Sequence, residues 1–230
     1  MKISKIMTGA MSVALVVAGG MAHAEAAASG GIDVNSAYIF RGATVNDEVN
    51  VTPYLEAALG DFTVGAWGNF NTDSEQFDEI DVYVSYGISL GDGISGSIGY
   101  TEYTYPTVVM GEMGAEADRE VSVGVSLDDV ILAPSLTAYF GLEGPLLDEG
   151  VYIELAGSHD IEVAEQAITA GATLGYEAGD NVAETGFSHL TLSLGTDVGP
   201  VAVSVAYVVE TDDTVLVVDE DVVVTAGLSF

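Results

Sequence analysis

The sequence predicts an all-β chain, a transmembrane antiparallel up-and-down β-barrel of about twelve strands. Three observations predict it. Short segments carry an apolar residue at every second position, most clearly Tyr83 to Leu90, Val121 to Leu127 and Val224 to Phe230 at the end of the chain. The intervening residues are Ser, Thr, Gly and Ala, too small and polar for a second hydrophobic core. Apolar side chains facing lipid, small polar ones facing a lumen and no unpaired edge in hydrocarbon are what a spanning barrel requires. Finally, no apolar stretch beyond the first 24 residues approaches the roughly 20 residues of a transmembrane helix.

Alternation and turn signals together place strands near 32–42, 50–59, 62–71, 79–90, 94–102, 119–127, 134–143, 151–159, 167–177, 187–197, 201–210 and 222–230. The strand near 187 is ambiguous, because its phase slips between Phe187 and Leu190. Gly60-Asp61, Gly91-Asp92-Gly93 and Val198-Gly199-Pro200 read as tight turns, with longer ones at 128–133 and 160–166. Longer loops fall near 43–49, 72–78, 103–118, 144–150, 178–186 and 211–221, so short and long connections alternate. Short periplasmic turns and long outer loops are the outer-membrane pattern, with both chain ends in the periplasm.

The lipid face then reads Ile32, Val34, Tyr38 and Phe40 on the first strand, Ile80, Val82, Val84, Tyr86, Ile88 and Leu90 on the fourth, and Val201, Val203, Val205, Tyr207 and Val209 on the eleventh. Tyr38, Phe40, Phe70, Tyr100, Phe140, Tyr207 and Phe230 fall toward strand ends, where aromatic girdles sit. A soluble β-sandwich also alternates, but it turns charge outward on every strand, whereas here charge is concentrated in loops.

Lys2 and Lys5 precede an apolar run, Met11 to Val17, that closes at Ala22-His23-Ala24, so residues 1–24 read as a cleaved signal peptide and 25–230 as one barrel domain. The expected location is the outer membrane of a Gram-negative bacterium. The absence of cysteine excludes a disulfide framework and thiol chemistry. Thirty-six acidic residues face four basic ones, a net charge of −32. Beyond the leader only Arg41 and Arg119 remain as Lys or Arg. Such a field repels nucleic acid and anionic ligands. It fits either halophilic adaptation, a surface suited to a salty medium, or a funnel that concentrates cations.

Facing inward by alternation are Asp33, Asn35, Arg41, Glu56, Trp67, Asn69, Asp81, Tyr83, Tyr152 and Glu154. Of these, Arg41, Glu56, Trp67, Asp81, Tyr83, Tyr152 and Glu154 are the pore-lining candidates. Arg41, near the outer mouth among carboxylates, is expected to pair with Glu56, Glu79 or Asp81, either bracing strands or shaping a constriction. Asn71, Asp73 and Glu75 begin like a calcium loop, but Gln76 stands where the sharp turn needs glycine. That leaves at most weak Ca²⁺ or Mg²⁺ binding at the acidic loops. Zinc and redox metals lack their ligand sets, and no cofactor is expected. His159 and His189 are expected at turns or interfaces. His159 neighbours Ser158 and Asp160, but adjacent strand residues point to opposite faces, so no triad forms and no enzyme is expected.

Asn35 to Gly42, Gly65 to Phe70, Glu79 to Gly87 and Gly99 to Pro106 resemble, in order and spacing, motifs of the TorF family, whose members are described as porins with no established substrate. The four motifs cover about the first third of the chain. The resemblance implies a proteobacterial outer-membrane barrel of porin type. The expected partners are therefore outer-membrane lipid and small solutes or cations. The function expected is passive, cation-preferring diffusion. The alternative is a non-conducting structural or surface barrel acting through acidic outer loops. The abundance of small inward residues favours an open lumen.

Overall fold

Each alternating segment becomes a strand because period-two apolarity buries one face of the pleat and leaves the other for a different environment. The computed structural model describes residues 26–107, 117–179, 185–210 and 221–230. The expected leader and Asp212, Asp213, Asp219 and Glu220 of the last long loop lie outside the described residues. The strands are β1 (Ala26–Asn35), β2 (Tyr38–Phe40), β3 (Ala43–Asn46), β4 (Asn50–Leu59), β5 (Phe62–Asn71), β6 (Gln76–Gly91), β7 (Ile94–Thr104), β8 (Asp118–Leu127), β9 (Ser135–Glu143), β10 (Gly150–Val163), β11 (Gln166–Gly179), β12 (Gly186–Val198), β13 (Val201–Glu210) and β14 (Asp221–Ser229).

Twelve of these, β1 and β4 to β14, form a closed antiparallel barrel in chain order. The seam joins β1 to β14 in a register from Gly31↔Ser229 to Asn35↔Thr225. Reciprocal backbone bonds between Gly30 and Phe230, at 3.0 and 2.9 Å, extend it. Closure removes every free edge along the seam, which is the staple a cysteine-free chain needs. Ile80, Val82, Val84, Ile88 and Leu90 of β6, and Val205 and Tyr207 of β13, point outward and are exposed. Thr52, Ser85, Ser204 and Thr225 point inward and are buried. No helix among the described residues is long and apolar enough to cross a membrane.

The first strand differs from expectation. Instead of running from 32 to 42, β1 ends at Asn35, and β2 and β3 form a separate two-stranded hairpin. The chain bends at Ser36 and Ala37 and reverses at Arg41 and Gly42, both with positive φ (50° and 88°). Tyr38 and Phe40, expected on the lipid face, are therefore inside, and residues 43–46, expected in a loop, are a strand. The cause is a second apolar surface within the barrel. Val208 of β13 and Val223 of β14 face inward and cluster with Ala37 and Ile39 of the hairpin. Ile39 finds there the burial that lipid would otherwise supply.

Two connections also contract. The loop expected at 72–78 contracts to 72–75, between β5 and β6. The turn expected at 160–166 contracts to Ala164 and Glu165, both left-handed (φ 50° and 69°). Consequently β10 pairs with β11 over its whole length but with β9 only from Val151 to Ala156, and the hairpin tip projects past the wall. The phase slip near 187 is a bulge. Tyr176 pairs with Phe187 but Gly175 with His189, so Ser188 is the extra residue and both Ser188 and His189 are buried.

Candidate functional site

The β2–β3 hairpin is rooted where the barrel closes. The Ser36 amide donates to the Val224 carbonyl, and the Val224 amide donates to Ser36 Oγ, both at 2.9 Å. Asn35 donates to Thr52 (3.1 Å) and accepts from Thr225 (2.8 Å), clamping β1 between its two neighbours. At the return strand, Asn50 donates to Asn46 (2.7 Å) and to the Glu48 carbonyl (2.6 Å), while Asn69 donates to Asn50 (3.0 Å) and Asp78 (2.6 Å). This amide network fixes the angle at which the hairpin enters the lumen.

The tip delivers Arg41 to the opposite wall. Its guanidinium forms a 2.6 Å ion pair with Glu120 of β8, with side chains 9% and 3% exposed. The guanidinium carbon also lies 4.8 Å from the ring centroids of Phe40 and Tyr139 and 4.5 Å from that of Tyr152. Arginine suits this position because its weakly hydrated plane stacks on rings while bonding a carboxylate. Tyr103 donates to Glu120 at 3.1 Å. The partner is thus none of Glu56, Glu79 or Asp81, because the hairpin carries Arg41 across the barrel, away from the strands that bear those acids.

Beyond Arg41, the Tyr152 hydroxyl donates to Glu154 (3.1 Å) and meets His189 Nε2 at 3.0 Å. With its one proton committed, that hydroxyl accepts from Nε2–H, and His189 Nδ1 accepts from the Thr191 hydroxyl at 3.2 Å. His189 is therefore a fully engaged lumenal residue, not the turn or interfacial residue expected. Exposed His159 sits on the projecting β10–β11 tip, with no lumenal role. On the near wall, Tyr38 donates to Glu79 at 2.7 Å and packs on Trp67 at 5.7 Å, while Tyr83 donates to Glu56 at 2.8 Å.

All seven pore-lining candidates thus lie inside the barrel. Arg41, Tyr152 and Glu154 meet at one end of the hairpin, Trp67 and Asp81 at the other, and Glu56 with Tyr83 stand apart from it. Sequence reasoning missed Tyr103, Glu120, Tyr139 and Glu177. Strand phase could have found Glu120 and Tyr139, since each alternates with outward apolar neighbours. The buried acids Glu79, Asp81, Asp118, Glu120, Glu154 and Glu177 stand on β6, β8, β10 and β11, and Arg41 is the one buried guanidinium among the described residues, so acids outnumber bases in the interior. Around the hairpin Asn50, Asn69, Asp81, Asp118 and Ser188, from five wall strands, are each 0% exposed, so hairpin and wall pack closely at this level. The hairpin thus narrows the lumen in that half of the barrel. Toward the tight-turn end the wall carries cross-strand glycine–serine pairs, Gly99↔Ser122, Ser97↔Gly124 and Gly171↔Ser193, and no hairpin.

Asn71 Oδ1 accepts the amides of Asp73 (2.9 Å) and Ser74 (3.2 Å), which makes the turn between β5 and β6. Among the described residues no group of three His, Cys, Asp or Glu side chains is placed to hold a metal ion. One family model matches residues 20–227; its description reads "Bacterial protein of unknown function (Gcw_chp)". No curated protein matches the chain.

Proposed function

The chain belongs to the Gcw_chp family of bacterial proteins of unknown function, and from that premise we propose that it is an outer-membrane channel of porin type that passes small cations through a lumen narrowed by its own hairpin. The carrying observation is the set of buried wall carboxylates on β6, β8, β10 and β11 beside one arginine that is already neutralised by Glu120. A low-dielectric passage lined by one sign of charge attracts the opposite sign. The outward apolar face and the alternation of tight and long connections support placement in an outer membrane, with the long loops outside. The TorF-like motifs, including Asn35 to Gly42, which forms much of the hairpin, support the porin assignment. We assign the protein no catalytic activity and no cofactor. Weak Ca²⁺ or Mg²⁺ binding stays with the outer acidic loops.

A second reading has its own observation: the fully buried residues around the hairpin favour a closed barrel with a structural or surface role. Planar-bilayer recording of the refolded protein under a salt gradient separates the two. Stepwise currents with a reversal potential of cation sign are expected. Silence from protein whose electrophoretic mobility shifts on heating, and which is therefore folded, would establish the closed barrel instead.

A further inference from the structure

Among the described residues Asp81 is the least accommodated acid. It is 0% exposed, no N–H or hydroxyl donor reaches either carboxylate oxygen, and the side chain that meets it is the Glu79 carboxyl. Its inward neighbour on β6, Glu79, is buried too and accepts a hydrogen bond from Tyr38. Asp78 and Asp118 add to the negative field on Glu79. No arginine can answer that field: Arg41 is bound to Glu120, and Arg119 to Glu102 and Glu143. A buried carboxylate requires a counter-charge or a donor, or else takes up a proton.

We propose that Glu79 and Asp81 form an alkali-cation site at the foot of the hairpin, with Na⁺ as the probe ligand. Water needs about 2.7–2.8 Å from an oxygen, whereas a bare hard cation sits closer, about 2.3–2.6 Å in the case of Ca²⁺. Burial that leaves Asp81 no contact with bulk water therefore does not by itself exclude an ion. The ligand set favours a monovalent one. Two carboxylates and the Tyr38 hydroxyl fall short of the six to eight oxygens Ca²⁺ takes, and among the described residues no third acid is placed to complete a cage. The bound ion would neutralise Glu79 without displacing Tyr38, so occupancy also secures the hairpin. The site rests on the hairpin geometry and not on conduction, so a silent bilayer leaves it standing.

Trp67, the chain's one tryptophan, pairs across the strands with Asp81 and packs on Tyr38, so its fluorescence reads the site directly. Refolded protein is titrated with NaCl replacing choline chloride at constant ionic strength and fixed pH. A saturable fluorescence change is expected in the wild type and its loss in Asp81→Asn. Identical spectra in the two salts would overturn the site, and because that comparison needs no variant it holds even if Asp81→Asn misfolds. A response to pH but not to Na⁺ would replace the cation with a shared proton. Saturation by CaCl₂ below the Na⁺ range would overturn the alkali assignment.

Discussion

Arg41 shows what one residue does in this interior. It is held by an acid on β8 and by three aromatic rings, and its removal leaves Glu120 charged and buried with only Tyr103 as a donor. Breaking a buried pair from one side costs about 3–5 kcal/mol. At about 2–4 °C per kcal/mol for a chain of this size, Arg41→Ala should melt on the order of 10 °C lower. Adding Glu120→Gln should restore much of the loss, and a double-mutant cycle by calorimetry in detergent checks it. Gly42 is the second sensitive position. With φ at 88° and a built Cβ reaching 2.5 Å from His189, Gly42→Ala combines backbone strain with a clash. It should cost roughly 1–3 kcal/mol, read in the same melts. Arg41 was legible because cations are so rare here. Its partner was not, because Glu120 lies 79 positions away and the two meet only when the hairpin turns inward.

At the scale of elements, the hairpin is an insertion between two strands that already pair. Asn35 faces Asn50 in the β1–β4 register, so a two-residue Asn-Gly turn can replace residues 36–49 without moving the wall. If the hairpin is the constriction, that deletion should raise single-channel conductance several-fold and weaken cation selectivity, because a wider, wetter lumen screens the wall carboxylates from the passing ion, an effect that outweighs the freeing of Glu120 from Arg41. Unchanged conductance would place the constriction elsewhere. The remaining barrel strands were legible within a few residues, because turn residues such as Gly60-Asp61 and Gly199-Pro200 punctuate a period-two pattern that one apolar exterior imposes. The hairpin was not, because Tyr38 and Phe40 continue the phase of Ile32 and Val34. Alternation reports that a face is apolar, not whether lipid or a neighbouring Val208 and Val223 will cover it. The bend at Ser36 and the Arg41-Gly42 reversal were the only local marks of the break.

At the scale of the whole molecule, thirty-six acids against four bases make the fold dependent on screening. The Debye length is about 10 Å at 0.1 M salt and about 3 Å at 1 M. Thermal midpoints should therefore rise with salt over that range, with choline chloride nearly as effective as NaCl for this general term. A flat profile would show that the loop charges are too dispersed to repel. The position of the hairpin carries one more consequence, for the order of assembly. It emerges between the first two wall strands, yet its side chains are satisfied by β6, β8, β10, β13 and β14, and Thr44 reaches Asp221 at 3.3 Å. A cylinder sealed beforehand would leave Ile39 no apolar seat to find from outside. The hairpin must then already be lying in the trough of the unclosed sheet when the last two strands arrive, where Ala37 and Ile39 offer Val208 and Val223 a surface that only the correct alignment fits. The segment that narrows the finished lumen is also the mandrel around which the cylinder closes.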